Sequence, residues 1–354
     1  MNRSRLAGPA AAVVCLTLGL AGVSRVARAG SLSSSVLGMF PKNVGEIGYA
    51  DLKTARQASW FAQFEGQALP TRFSHFERYL MSAGMDLNKQ VEEVAWAAAA
   101  APASPARGDA SSSGGNAASG GPPAQPQKFT GEEVVGVALG GFQPDVIDAF
   151  FKQQKLPTSS VRGYTLYAYG SGVSPGDLYF FFLDSNTLAF GHREPLEALI
   201  GVRFGDEESF LQNDKLNDLV SEVNGQGTMW AALDKNYAQQ SIGRLLPDLA
   251  QFPGAQPLLA RITGMTIAVA TDPGVDAQIT PHCASTDDAI TLAQLLQAGL
   301  LYKRYQVNQY NQDMAKALDA TSVSADGNNL KIRTQLPYDL LLSLLRSNAF
   351  SFQM

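Results

Sequence analysis

Two apolar runs in this chain end on an aspartate and pass directly into helix-forming residues. Glu46-Ile47-Gly48-Tyr49-Ala50-Asp51 leads to Lys53, Thr54 and Ala55, and Met229-Trp230-Ala231-Ala232-Leu233-Asp234 leads to Lys235, Asn236, Tyr237 and Ala238. Each run predicts a strand and each continuation a helix. The aspartate between them has a local role open to it, because its carboxylate can accept hydrogen bonds from the unpaired amides of the first helical turn.

The first half continues in the same manner. Strand 46–50 precedes helices over 52–64 and 71–81, and residues 91–100 form a Val, Trp and Ala run that is apolar on both faces and therefore interior to a sheet. A strand over 132–139 and a helix over 143–153 opened by Pro144 and Asp145 follow. Strands over 163–169, 177–183 and 187–191 come next, with Asp184-Ser185-Asn186 as the turn between the last two, then a helix over 194–200. Two short helical pieces within 204–223 lead into the second half. There, strand 228–233 and helix 235–246 precede strands over 262–270 and 275–280. One long helix is expected from 286 to about 318, with Ile290, Ala293, Leu296, Leu300 and Met314 as its apolar stripe and Gln306, Asn308, Gln309, Asn311 and Gln312 at a polar far end. Strands 321–324 and 330–334 around Asp326-Gly327-Asn328, and a helix over 338–346, close the chain.

The halves match in register. Asp184, Asn186, Leu188 and Pro195 meet Asp326, Asn328, Leu330 and Pro337 at one constant offset. Asp51 meets Asp234 at a larger one, and the difference falls where the first half carries residues 101–128. One insertion into one copy of a duplicated unit accounts for both offsets. The reading is an α+β fold of two tandem related halves, 30–204 and 205–354, with mostly antiparallel sheets backed by helices.

Residues 101–128 are Ala, Ser, Gly, Pro and Gln almost throughout, with no aromatic or long aliphatic side chain. Such a stretch cannot bury enough surface to offset its ordering entropy, so it reads as a disordered loop between neighbouring strands and not as a domain boundary. Its Gly114-Gly115 and Gly120-Gly121 pairs lack the Gly-Lys-Ser/Thr ending of a phosphate loop. For the rest, 45% hydrophobic and 9% aromatic residues suit a filled core. A net charge of -5 without any Lys or Arg run leaves no electrostatic footprint for nucleic acid.

The start of the chain carries an address. Arg3 and Arg5 precede an uncharged stretch over 6–23, and Ala27-Arg28-Ala29 forms an A-x-A site before Gly30. This order is that of a secretory signal peptide over 1–29, cleaved after Ala29, which places the mature protein in the periplasm or outside the cell. The alternative is a retained anchor, since the stretch nears the roughly 20 residues of a spanning helix; Pro9 and the many small residues weigh against it. Contact with the membrane is expected only if the leader stays. Cys15 follows Val14 where a lipoprotein site requires a small residue. Without the leader Cys283 is the sole cysteine, a small apolar strand residue with no disulfide partner.

A signal peptide, repeated strand–helix–strand–strand units, the strand-then-helix step from Leu188 to Ile200 and the ending from Val323 to Leu345 resemble an uncharacterised family of exported bacterial proteins. That resemblance implies an α+β fold, and it brings no activity, cofactor or site residue.

Chemistry-bearing groups are sparse. His75, His192 and His282 show no metal-ligand spacing, and His282-Cys283 has no C-x-x-C or second histidine nearby. His192-Arg193-Glu194 reads as a solvated helix start, with Glu194 near the positive end of the dipole. No G-x-S-x-G elbow is present. Tyr179-Phe180-Phe181-Phe182 reads as strand core. The catalytic candidates that remain are Asp51 and Asp234, which would form an acid–base pair if the halves faced each other, although neither sits in an Asp-Thr-Gly or Asp-Ser-Gly setting. The expectation is an exported, non-catalytic binding or envelope-associated protein without cofactor or metal, whose partner is a protein or envelope component. The alternative is an extracytoplasmic hydrolase using acidic residues where the halves meet.

Overall fold

A computed structural model describes residues 30–68, 71–100, 132–174, 176–245, 255–272 and 274–346. Its framework is one antiparallel sheet of twelve strands. The first half supplies β1 (Glu46–Asp51), β2 (Val91–Ala100), β3 (Glu132–Gly140), β4 (Thr158–Val161), β5 (Tyr164–Tyr169), β6 (Leu178–Phe182) and β7 (Thr187–Gly191); the second supplies β8 (Met229–Asp234), β9 (Ile262–Ala270), β10 (Val275–Cys283), β11 (Thr321–Asp326) and β12 (Asn329–Leu336). The halves do not fold as separate sheets. β1 pairs with β8 in the middle, Tyr49 opposite Trp230, and the ladder continues unbroken to both edges. Outward from that pair, β2, β3, β7 and β6 on one side take the places of β9, β10, β12 and β11 on the other, and β5 and β4 extend the first side. Residues 101–128, expected to be a disordered loop, lie outside the described residues; the strands on either side of them pair directly, Ala100 opposite Glu132.

Both faces of the middle strands are covered, which explains why β1 and β8 are apolar in every interior position but one. One face carries α2 (Leu52–Ala55), α3 (Phe61–Ala68), α4 (Thr71–Ser82), α6 (Pro144–Gln154), α9 (Lys235–Leu245), α10 (Ala255–Leu259), α11 (Thr286–Val307), α12 (Gln312–Asp319) and α13 (Tyr338–Arg346). The other carries α1 (Ser34–Leu37), α7 (Arg193–Phe204) and α8 (Asp214–Val223), packed on Ile47, Tyr49, Val137, Phe181 and Trp230. A one-turn helix, α5 (Leu87–Gln90), leads into β2. The mirrored order ends at the last helix of each half. α7 buries Leu196, Leu199 and Ile200 on the α8 side, whereas α13 buries Leu341, Leu344 and Leu345 on the α11 side.

Gly48 shows how tightly the central ladder is built. Trp96 stands directly opposite it in β2 and lays its ring across the glycine, so that a Cβ on residue 48 would lie 2.0 Å from the ring. The indole Nε1 donates to Glu46 Oε1 at 2.9 Å, which holds the ring over β1 and gives the buried Glu46 carboxylate a donor.

Two expected helices are each broken in two. Residues 52–64 form α2 and α3, separated by a turn in which Ala58 N donates to Ala55 O and Phe61 N to Ala58 O. That turn drops Trp60, Phe61 and Phe64 into the core, while Arg56 donates from Nη1 to Val91 O at 2.5 Å and ties the corner to β2. The long helix stops at Val307 and restarts at Gln312, where Asn311 Oδ1 accepts from Met314 N at 2.9 Å. The reversal returns Ala315 and Ala317 to the interior, where a straight helix would carry them past the sheet edge. Strand β4 and helices α5 and α10 have too little periodicity to stand out in the sequence.

Candidate functional site

The junction aspartates are N-caps, and the geometry follows from their position at strand ends. Asp51 Oδ1 accepts from Thr54 N at 2.8 Å and Oδ2 from Thr54 Oγ1 at 2.6 Å; Asp234 Oδ1 accepts from Tyr237 N at 2.9 Å. The structure does not bring them together. Because β1 and β8 are antiparallel, Asp51 lies beside Thr228 at one end of the pair and Asp234 beside Gly45 at the other, with Asp51 N donating to Thr228 O and Asp234 N to Gly45 O. Six residues of extended chain, roughly 20 Å, separate those ends. An acid–base pair made of these two carboxylates is therefore not formed.

Asp234 opens onto a polar cleft of about 500 Å³ lined by Lys42, Asn213, Asp214, Lys215 and Tyr237 among others. Burial raises the Asp234 pKa, and the amides of Tyr237 and Asn236 work in the opposite direction. Much of the lining is committed to the fold. Lys42 pairs with Glu208 at 2.9 Å, and the Asn213 amide donates to Lys42 O at 3.0 Å while its Oδ1 accepts from Leu216 N.

Two of the three histidines, His192 and His282, occupy structural positions. His192 is the residue before α7, and its Nδ1 lies 3.1 Å from Asp177 O. His282 faces Glu222 at 3.4 Å, and burial lowers its pKa against the opposing pull of that carboxylate. His75 is exposed. Burial, with Asp288 as a secondary cause, pushes the Cys283 thiol up to about 11, so it stays protonated and unreactive at neutral pH. Arg193 pairs with Glu197 at 2.7 Å along α7.

The most distinctive surface is one that the sequence reading described only as polar. Residues 301–306 of α11 are all exposed, so these turns project into solvent before Val307 returns to the interior at the helix end. Leu301 is 68% exposed, Tyr302 59% and Tyr305 72%, and Tyr310 in the following turn is 75% exposed. Arg304 and Asp319 form an ion pair that ties the projecting end to α12. Ile290, expected in the buried stripe, faces outward, and Ala289 and Leu292 are buried in its stead. The available signal was the placement of Leu301, Tyr302 and Tyr305 off the line drawn by Ala293, Leu296 and Leu300.

No family model and no curated protein matches the chain. It is similar to solved structures of TP0453: crystal form I at 9% identity and a TM-score of 0.45, covering 89% of this chain and 97% of that one, and crystal form III at 8% identity and 0.44, covering 88% and 97%. Among the described residues no helix is long and apolar enough to cross a membrane.

Proposed function

We propose that this chain is an exported, non-catalytic binding protein of the cell envelope, built from two tandem related halves, that engages a protein partner through the projecting end of α11. The observation that carries this reading is the cluster of Leu301, Tyr302, Tyr305 and Tyr310 held in solvent at a helix–turn–helix corner. Four large side chains that take no part in the core are better accounted for by a contact outside the chain than by stability. Tyrosine flanked by amides such as Gln306, Asn308 and Gln309 supplies large rigid contact area with adaptable hydrogen bonding, the composition of protein-binding surfaces. The polar leader, apolar stretch and A-x-A site at 27–29 support export with cleavage after Ala29. The mirrored strand order supports the relation between the halves.

The test places a photoreactive phenylalanine at position 305 in the producing cell. A discrete protein adduct is expected, and it should be lost when Tyr302→Ser and Tyr310→Ser are added. An adduct only to lipid, no adduct, or one insensitive to those changes would overturn the assignment.

A further inference from the structure

The opposite end of the β1/β8 pair from the Asp234 cleft holds a charge imbalance that points to the start of the mature chain. Tyr49 and Asp51 in β1 and Glu93 in β2 share one sheet face, Glu93 directly opposite Asp51 in the register. Tyr49 is 1% exposed and stacks on Trp230 with ring centroids 5.7 Å apart, so its ring is fixed. Its hydroxyl bonds to Glu93, and its pKa is raised by burial first and then by the charges of Glu93 and Asp51. Asp51 and Glu93 are half-buried, and among the described residues neither is ion-paired. The nearby cation, Lys53, bonds to Glu92 at 2.7 Å and reaches Asp51 and Glu93 only through the weaker, longer-range pull of its charge. Two carboxylates side by side with no cation bonded to either repel each other and favour a positive group between them.

Gly30 is the residue seated there. A Cβ on it would lie 2.4 Å from Tyr49 Oη and 3.1 Å from Asp51 Cβ, so its backbone lies against both side chains and only glycine fits over the fixed ring. The segment is clamped in that place two residues on. Leu32 N donates to Asn224 Oδ1 at 2.8 Å, Asn224 Nδ2 donates to Leu32 O at 3.0 Å, and the Leu32 side chain is buried.

We propose that the α-ammonium of Gly30, released by hydrolysis of the Ala29–Gly30 bond, is the counterion of the Asp51–Glu93 niche, so that processing of the leader supplies a structural cation to the mature fold. This rests on the reading that the leader is cleaved after Ala29. Hydrolysis by the peptidase of the export route adds water across the amide; Ala29 leaves with the carboxylate, and Gly30 keeps the amine, which takes up a proton at neutral pH. In the uncut chain that nitrogen is a neutral amide, and the two carboxylates lack this charge. The groups facing the ammonium are Tyr49, Asp51 and Glu93, with Lys53 beside them, bonded to Glu92 and acting on Asp51 and Glu93 at longer range. An amine that gains carboxylate partners on folding has a raised folded pKa, so its contribution is complete below the unfolded α-amino value of about 8 and is lost as pH rises through the folded value.

The test compares chains 30–354 made with a free Gly30 amine and with the same amine acetylated, by thermal unfolding from pH 6 to pH 10. The free amine should raise the midpoint by a few degrees at pH 6 to 7, and the gap should close toward pH 10. It should also vanish when Asp51→Asn and Glu93→Gln are combined, changes that keep the capping and hydrogen-bonding oxygens. Equal midpoints at pH 6 to 7, or a gap that persists in the double variant, would overturn the proposal. Sequencing the exported protein's N-terminus tests the cleavage separately: a terminus other than Gly30 sinks the processing step whatever the unfolding data show.

Discussion

Asp51 and Asp234 stand at opposite ends of one antiparallel strand pair, each holding the amide of the residue three positions on. The same sequence device thus starts a helix on the same face of the sheet at two remote places. Replacing either by Ala should destabilise the protein by about 1 kcal/mol, and the two losses should add, since the sites share no partner. Asn should restore most of the cap at 51. At 234, Asn should equal or exceed wild type at neutral pH, because burial raises the folded pKa of Asp234 and the charged form is the disfavoured one. A double-mutant cycle by urea unfolding at pH 7 checks this. Coupling above about 0.5 kcal/mol between the sites would contradict their independence.

Asp288 predicts the opposite pH behaviour. Ser285 Oγ donates to it at 2.6 Å and Arg261 Nη1 at 2.7 Å, and these hydrogen bonds, Ser285 first, hold its pKa below the ordinary aspartate value. Its contribution is present above the unfolded pKa near 4 and is lost as pH falls through the lower folded value. The Asp288→Asn variant should therefore lose less stability than wild type between pH 5 and pH 2.5, followed by urea midpoints. Parallel curves would show that the α11 start does not depend on this charge.

Gly48→Ala should be among the most damaging single-methyl changes in the sheet. The added carbon meets the Trp96 ring at 2.0 Å, and moving that ring breaks its bond to Glu46. Overpacking of this kind costs about 1–3 kcal/mol. Trimming the ring in Gly48→Ala/Trp96→Leu should recover part of the packing loss. Unfolding midpoints and Trp fluorescence of the single variant read both effects; an unshifted spectrum with an unchanged midpoint would mean the ring has room to move.

Local pattern alone determined much of this protein. The alternation and apolar runs located eleven of the twelve described strands to within a few residues, all but β4, and placed a cap at each junction aspartate; β2 was recognisable as interior because its run from Val94 on is apolar on both faces. These features depend on neighbours along the chain, which a sequence displays directly. The tertiary structure decided what depends on neighbours across it. Antiparallel pairing of β1 with β8 joined the halves into one sheet and sent Asp51 and Asp234 to opposite ends, because antiparallel strands finish at opposite edges. Burial decided where the helices over 52–64 and 286–318 break, since only the break returns Trp60 and Ala317 to the core. The lack of packing partners over 301–306 left Tyr302 and Tyr305 in solvent, a matter of what the helix packs on and not of its residues. The Gly30 niche likewise joins four segments of the chain, around Gly30, Asp51, Glu93 and Asn224, through a clamp at Asn224 that no local period announces.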